Sequence, residues 1–255
     1  MIINYLIDLF VFIFGVCIGS FLNCYIYRLE QEKTLNGRSF CPNCKHFLSW
    51  LDLFPVFSFL FLKGKCRYCK EKISIQYPLV ELAGGILFLA IFNPHNILQS
   101  VFYWLISCFL IIIFVYDLKH YIIPDKILFP AIIITLVFNL IPPYNFHQII
   151  FNFVGAAVAS GFFLAIFVFS KGKWMGFGDV KLAILMGLLL GLANVLVALF
   201  LAFFFGAIIG VIMMVFEKKN LRSEIPFGPF LIAGTFSAIF FGSQIIQWYM
   251  SLFQI

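Results

Sequence analysis

Long apolar runs, separated by short polar turns, fill most of this 255-residue chain. Eight of them stand out, at about 3–27, 79–93, 101–116, 127–141, 149–170, 180–193, 195–216 and 229–250. Each predicts a helix, and together they predict an all-α polytopic membrane protein, because a ~30 Å hydrocarbon core is crossed by about 20 helical residues. Several runs are shorter than that, so the third and fourth are expected to extend into the polar stretch between them. One hydrophilic insert, Arg28–Tyr77, interrupts the pattern, and every other loop is short. The expected organisation is a first span at 1–27, a four-cysteine loop at 28–78 and a membrane-embedded domain at 79–255. The N-terminal run lacks a basic leader region and a small-residue cleavage site, so it reads as a span rather than a signal.

Composition agrees with lipid as the main solvent. The chain is 63% hydrophobic and only 11% charged, whereas a soluble domain carries about a quarter charged residues to cover its surface. Its 36 Phe suit a lipid-facing exterior.

The few charges fix an orientation. Nine of the 17 Lys and Arg (Arg28, Lys33, Arg38, Lys45, Lys63, Lys65, Arg67, Lys70, Lys72) lie between the first two runs. The others that flank spans, including Lys119, Lys126, Lys171, Lys173, Lys181, Lys218, Lys219 and Arg222, fall in alternate loops, and the intervening loops carry none. Eight spans with both termini outside therefore put every basic residue on one face, which the positive-inside rule makes cytoplasmic. The net charge of +6 follows from basic residues beside an anionic leaflet and calls for no nucleic-acid partner.

Two C-x-x-C pairs, Cys41–Cys44 and Cys66–Cys69, stand in the large loop. Four thiolates at this spacing predict one tetrahedral structural zinc site, and a reducing cytoplasm argues against disulfides. Neighbouring lysines are expected to favour the thiolates. Cys17, Cys24 and Cys108 lie in apolar runs and read as small hydrophobes.

Among the carboxylates, Glu30, Glu32, Asp52, Glu71, Glu217 and Glu224 are expected to be solvated, and Glu81 is expected to face the interior of the bundle. Asp117 ends one strongly apolar run, and Asp179, in Gly176-Phe177-Gly178-Asp179, opens another on the same side. Brought together, two such carboxyls cannot both ionise cheaply, and the pair can activate a water and protonate a leaving amine. Gly176 and Gly178 would let a substrate backbone approach; equally, Asp179 could simply cap its helix. Asp125, after Pro124, reads as a helix N-cap. Small residues spaced four apart (Gly15 and Gly19, Gly187 and Gly191, Gly206 and Gly210) read as helix-packing seams.

In order along the chain, these residues resemble the type IV prepilin leader peptidase/N-methyltransferase family. The resemblance rests on Gly19-Ser20-Phe21-Leu22-Asn23 with Ile26-Tyr27-Arg28-Leu29, the two cysteine knuckles, Pro55-Val56, Tyr77-Pro78-Leu79-Val80-Glu81, the aspartates with the second in a G-x-G-D, and Ile225-Pro226-Phe227-Gly228-Pro229. It implies an inner-membrane aspartic endopeptidase with Asp117 and Asp179 as catalytic pair. The implied reaction removes the basic leader of type IV prepilins and pilin-like proteins after a glycine, at the cytoplasmic face. It further implies methylation of the new N-terminus by S-adenosylmethionine, with no donor-binding residue identified. A rival reading is a metal-handling or acidic-pathway transporter with Asp8, Glu81, Asp117 and Asp179 along its path and a zinc-sensing loop; a non-catalytic pilus-assembly scaffold is another.

Overall fold

A computed structural model describes residues 2–141, 146–217 and 226–252. Lys218, Lys219, Arg222, Glu224 and Ile225, with parts of two outer segments used in the charge argument, lie outside them. The described residues form eight helices: α1 (Ile2–Glu30), the short α2 (Phe57–Phe61), α3 (Gln76–Ile91), α4 (Ile97–His120), α5 (Asp125–Asn139), α6 (Phe146–Ser170), α7 (Phe177–Glu217) and α8 (Gly228–Ser251). No strand occurs among them beyond two isolated bridges. Five helices (α1, α4, α6, α7 and α8) are long and apolar enough to cross a membrane. The chain thus has the build of a multi-pass membrane protein, and each apolar run coincides with helix. The two runs at 180–193 and 195–216 fall within the single element α7.

The chain divides into two compact units, Met1–Ile112 and Ile113–Ile255, the division falling inside α4. In the first, α1 packs on α3 through backbone contact. A Cβ on Gly15 would stand 2.6 Å from the Gly84 carbonyl oxygen, and one on Gly19 would stand 2.7 Å from the Glu81 Cα. Helices this close gain dispersion along their whole seam, which is what drives association where lipid is as apolar as the side chains. The seam continues into polar latches: Asn23 Nδ2 donates to the Tyr77 carbonyl (3.0 Å) and Gln76 Nε2 donates to Asn23 Oδ1 (3.3 Å). At the end of α1, the buried Arg28 guanidinium donates to the carbonyls of Thr34, Asn36 and Gly37, folding the first turn of the polar loop onto the helix.

In the second unit α7 packs against α5, α6 and α8. It has 41 residues, about 60 Å if straight at 1.5 Å per residue, roughly twice a hydrocarbon core. It is not straight: Gly191 has φ 73° and ψ 174°, a conformation essentially reserved for glycine, and the helix breaks there. The break frees carbonyls, and side-chain amides meet them. Asn139 Nδ2 donates to the Leu188 carbonyl (3.0 Å), Asn152 Nδ2 donates to Asn139 Oδ1 (3.2 Å), and Gln148 Nε2 donates to Asn152 Oδ1 (3.0 Å). Asn194 Nδ2 reaches the Leu190 carbonyl at 3.4 Å. Gly187 packs against the Ala156 backbone as a seam residue, whereas Gly191 is the break itself and Gly210 meets nothing within 4 Å among the described residues. Of the three small-residue pairs, Gly15 and Gly19 are the pair that acts as a two-residue seam.

Gly15→Leu should lower the midpoint of thermal unfolding in detergent by several degrees, since overpacking costs about 1–3 kcal/mol. An unchanged midpoint would mean that α1 and α3 can separate without penalty.

Candidate active site and metal centre

The second unit brings the sequence-singled aspartates together. Asp117 occupies the last turn of α4 and is 4% exposed; Asp179 is the third residue of α7 and is 8% exposed. The Asp117 carboxyl lies close enough to Asp179 for its charge to oppose a charge there.

Each is held by a helix start. The N–H of Gly176, just before α7, points at the Asp179 carboxyl, while the Asp179 N–H donates to the Gly176 carbonyl at 3.2 Å. Asp179 thus supplies the N3 half of a capping box; the other half is missing, because Gly176 has no side chain and its backbone carbonyl takes the returning N–H instead. Asp117 receives the N–H of Gly228, the first residue of α8, so a free helix N-terminal donor and its dipole face this carboxyl. Glycine is required at 228 for space: a Cβ there would stand 2.5 Å from Asp117 Oδ2. Phe227 packs this corner against Phe203, with ring centroids 5.0 Å apart, and against Phe163 at 6.1 Å.

Ile123, which no pattern in the sequence singles out, packs against the glycines that neighbour the two acids. It is buried, and it fills the space left by the missing side chains of Gly178 and Gly228, whose Cβ positions fall 3.1 Å from its Cβ and 3.4 Å from its Cδ1. Gly178 therefore faces Ile123, and Gly176 faces Asp179. Tyr121 takes a left-handed φ of 58° to turn the chain from α4 into this position, its N–H returning to the Asp117 carbonyl at 2.9 Å. Asp125 is not the N-cap: Pro124 occupies that place, and the Asp125 carboxylate accepts two bonds from Lys181 Nζ, at 2.7 and 2.8 Å. Lys181 is two residues beyond Asp179, and its ammonium also lies over the rings of Phe129 and Phe177. The pair ties the α4–α5 turn to the helix that carries Asp179.

In the first unit the four cysteines converge. The Sγ atoms of Cys41, Cys44, Cys66 and Cys69 lie within 4.8 Å of one another, those of Cys41 and Cys69 at 3.9 Å, and none forms a disulfide. Tetrahedral Zn–S bonds of about 2.3 Å place sulfurs roughly 3.8 Å apart, so the cluster fits such an ion without rearrangement. The knuckles are copies of one another offset by 25 residues, a short repeat that the sequence alone did not reveal. Lys45 donates its N–H to the Cys41 carbonyl and Lys70 to that of Cys66, each with φ near 60° (59° and 61°), and isolated bridges join Phe40 to Phe47 and Lys65 to Lys72. Burial pushes the Cys41 thiol up to about 11, while the Glu71 backbone N–H, ahead of the neighbouring thiols, draws Cys69 down to about 7. Backbone donors thus do what was expected of the lysines, and Lys45 Nζ goes instead to the Pro42 carbonyl, at 2.6 Å.

Asp52 was expected to be solvated, but its side chain is 3% exposed. It accepts from Arg67 Nε (2.7 Å), Tyr68 Oη (3.1 Å), the Ser49 hydroxyl (2.8 Å) and the Ser49 N–H (3.0 Å). Burial opposes its charge, yet these hydrogen bonds and the Arg67 guanidinium hold the carboxyl below its ordinary range. Arg67 and Tyr68 are the two residues inside the second C-x-x-C, so Asp52 fixes that knuckle to the segment between the two. Glu81 is buried at the α1–α3 seam as expected, and it accepts the Val56 N–H at 2.7 Å.

Residues 13–94 match the bacterial peptidase A24 N-terminal domain, and residues 104–211 match the type IV leader peptidase family. The chain is 33% identical to the prepilin leader peptidase/N-methyltransferase of Legionella pneumophila, over 98% of this chain and 97% of that protein. It is 32% identical to the protein of the same name from Bacillus subtilis (94% and 97% covered) and 30% identical to that of Aeromonas salmonicida (94% and 93%). No solved structure matches it. Two matched domains in order and end-to-end similarity to these proteins make the chain a member of the type IV prepilin leader peptidase family.

Proposed function

We propose that this protein is an inner-membrane aspartic endopeptidase that removes the basic leader from type IV prepilins and pilin-like proteins and then N-methylates the new N-terminus. The observation that carries the peptidase reading is the pair of buried carboxyls, Asp117 and Asp179, each met by the N–H of a helix start, with Asp117 near enough for its charge to act on Asp179. Two like charges so close are costly, which favours one proton between them. In the reaction the ionised carboxylate takes a proton from water as the water oxygen attacks the scissile carbonyl carbon. The protonated partner gives its proton to the carbonyl oxygen. Collapse of the tetrahedral intermediate breaks the C–N bond: the amine leaves with the proton first taken from water, and a hydroxyl of the intermediate returns its proton to the partner carboxylate, restoring the pair. Gly176, with no side chain beside Asp179, leaves the substrate backbone room to approach.

The topology that fits this chemistry is eight crossings with both termini outside, the two halves of α7 on either side of Gly191 counting as two, and α3 and α5 as short spans. It puts the catalytic pair and the cysteine loop at the cytoplasmic face, where the basic leader of a prepilin ends and its apolar helix begins. The four cysteines would hold a structural zinc, which closes both knuckles at once and so orders a loop whose large apolar side chains are mostly turned outward. Methylation with S-adenosylmethionine follows from the relatives' names, and no side chain is assigned to the donor.

Asp117→Asn and Asp179→Asn should each reduce leader removal from a purified prepilin by at least about 10²-fold, the minimum expected when a general acid or base is lost. Both variants should accumulate normally, and retained cleavage in either would remove that residue from the pair. Gly228→Ala should cut turnover about 10–100-fold by displacing the Asp117 carboxyl, since a shift of about 1 Å at a reacting group costs on the order of 10²; normal turnover would show that the carboxyl moves freely. Stripping zinc with a chelator, followed by elemental analysis and parallel cleavage and methylation assays, should impair methylation or loop folding more than cleavage. Equal loss of cleavage in protein that remains folded would refute that division of roles.

A further inference from the structure

The segment between the two knuckles is unusual for a loop assigned to water. From Leu53 to Leu62 it contains no charged residue. Six of the large side chains around it (Trp50, Leu53, Phe54, Phe57, Leu60 and Phe61) are turned outward, Trp50 at 74% exposure and Phe61 at 83%. The one acid nearby, Asp52, is turned inward to Arg67, Tyr68 and Ser49 and presents almost no charge at the surface. Lys63 and Lys65, at the end of the segment, are exposed. An apolar patch of this size with a cationic rim marks an interaction surface.

Its depth is fixed by one bond. Val56 has φ 61° and ψ −51°, and the Phe57 N–H donates to the Pro55 carbonyl at 2.6 Å, which makes Pro55-Val56-Phe57 a tight γ-turn of the strained, positive-φ kind, here at a β-branched residue. Such a turn persists only where its surroundings over-determine it. What over-determines it is the Glu81 carboxylate, which accepts the Val56 N–H at 2.7 Å and is also reached by the Ser20 hydroxyl. Glu81 is the sixth residue of α3, so Val56 is anchored about 8 Å along that helix from its start, at 1.5 Å per residue. At that level and just beyond, α3 presents Leu79, Leu82 and Ile86 outward.

We propose that Trp50–Phe61 is a membrane-dipping segment: its aromatic and leucine side chains enter the acyl-chain boundary of the leaflet next to the α3 start, Lys63 and Lys65 meet anionic headgroups, and Glu81 clamps the backbone at that depth. The proposal rests on the reading that α3 lies in the bilayer. Lipid is the occupant that matches every feature. The patch is apolar below and cationic at its rim, as interfacial segments are, and it sits beside lipid-facing residues of the same unit. A substrate leader that is itself basic is repelled by that rim.

The test is photo-cross-linking of the full-length protein in vesicles of phosphatidylethanolamine and phosphatidylglycerol, with a benzophenone amino acid placed singly at positions 57, 61 and 86, and at position 35 in the polar loop. Phospholipid adducts should form at 57 and 61 at a yield comparable to 86, and at least about fivefold above 35. Adducts at 86 but not at 57 or 61 would overturn the proposal, as would protein dimers or, with a prepilin present, prepilin adducts as the main products at 57. Absence of lipid adducts at 86 would remove the bilayer placement of α3, and the proposal with it. Glu81→Ala should lower the lipid adduct at 57 severalfold while leaving that at 86 unchanged; an unaltered yield at 57 would overturn the clamp.

Discussion

The structure depends on one constraint: a polar group placed in an apolar setting must find its partner within the chain, because water is not there to supply one. Where α7 breaks at Gly191, the freed carbonyls of Leu188 and Leu190 are met by Asn139 and Asn194, and the amides of Asn152 and Gln148 complete the row. Where α1 ends, Arg28 collects three loop carbonyls. The same rule makes a helix start valuable. Its first N–H groups have no partner in their own helix, and in this fold two such starts are spent on carboxylates, Gly176 on Asp179 and Gly228 on Asp117. Each acid is thereby held in place by a backbone N–H.

That placement explains why glycine recurs at the site for reasons that differ by position. At 228 the need is room for the Asp117 carboxyl, at 178 room for Ile123, and at 176 a backbone donor with no side chain beside Asp179. Ile123 then acts as a spacer packed against both glycines, and the Asp125–Lys181 pair holds the turn that delivers it. The geometry of the two acids is set less by the acids than by the small and apolar residues that leave them one place to be.

Much of this was legible in the sequence, and the reason is physical. Long apolar runs, one-sided basic loops and two C-x-x-C pairs are patterns carried by neighbouring residues, and they identified the helices, the cysteine cluster and both aspartates. What was not legible depends on partners distant in sequence. Asp52 looked like a solvated loop acid, and only the fold brings Arg67 and Tyr68 to it. Asp125 after a proline has the signature of a cap, but Lys181, 56 residues away, claims its carboxylate. Gly191 looked like half of a packing seam because a spacing of four cannot distinguish a residue that lets helices touch from one that ends a helix. The solitary amides at Asn139, Gln148, Asn152 and Asn194 were the available signal, since an amide in an apolar run needs a partner, and a helix break supplies several.

The motif residues of the first unit gain a common meaning in the same way. Gly19, Ser20, Asn23 and Arg28 lie in the C-terminal half of α1, and each meets a different part of the chain that follows: Gly19 the backbone of α3, Ser20 the Glu81 carboxyl, Asn23 the Tyr77 carbonyl, and Arg28 the loop at 34–37. Glu81 carries the chain of contacts one step further, to Val56. The C-terminal half of one apolar helix, through residues that spread over about half its circumference, therefore fixes both ends and, by way of Glu81, the middle of the polar insert. The cysteines tie the insert to itself; α1 and Glu81 tie it to the bilayer-embedded helices. A metal could close the knuckles in a loop that drifted free of the helices; among the described residues the α1–α3 latch is what holds that loop against them.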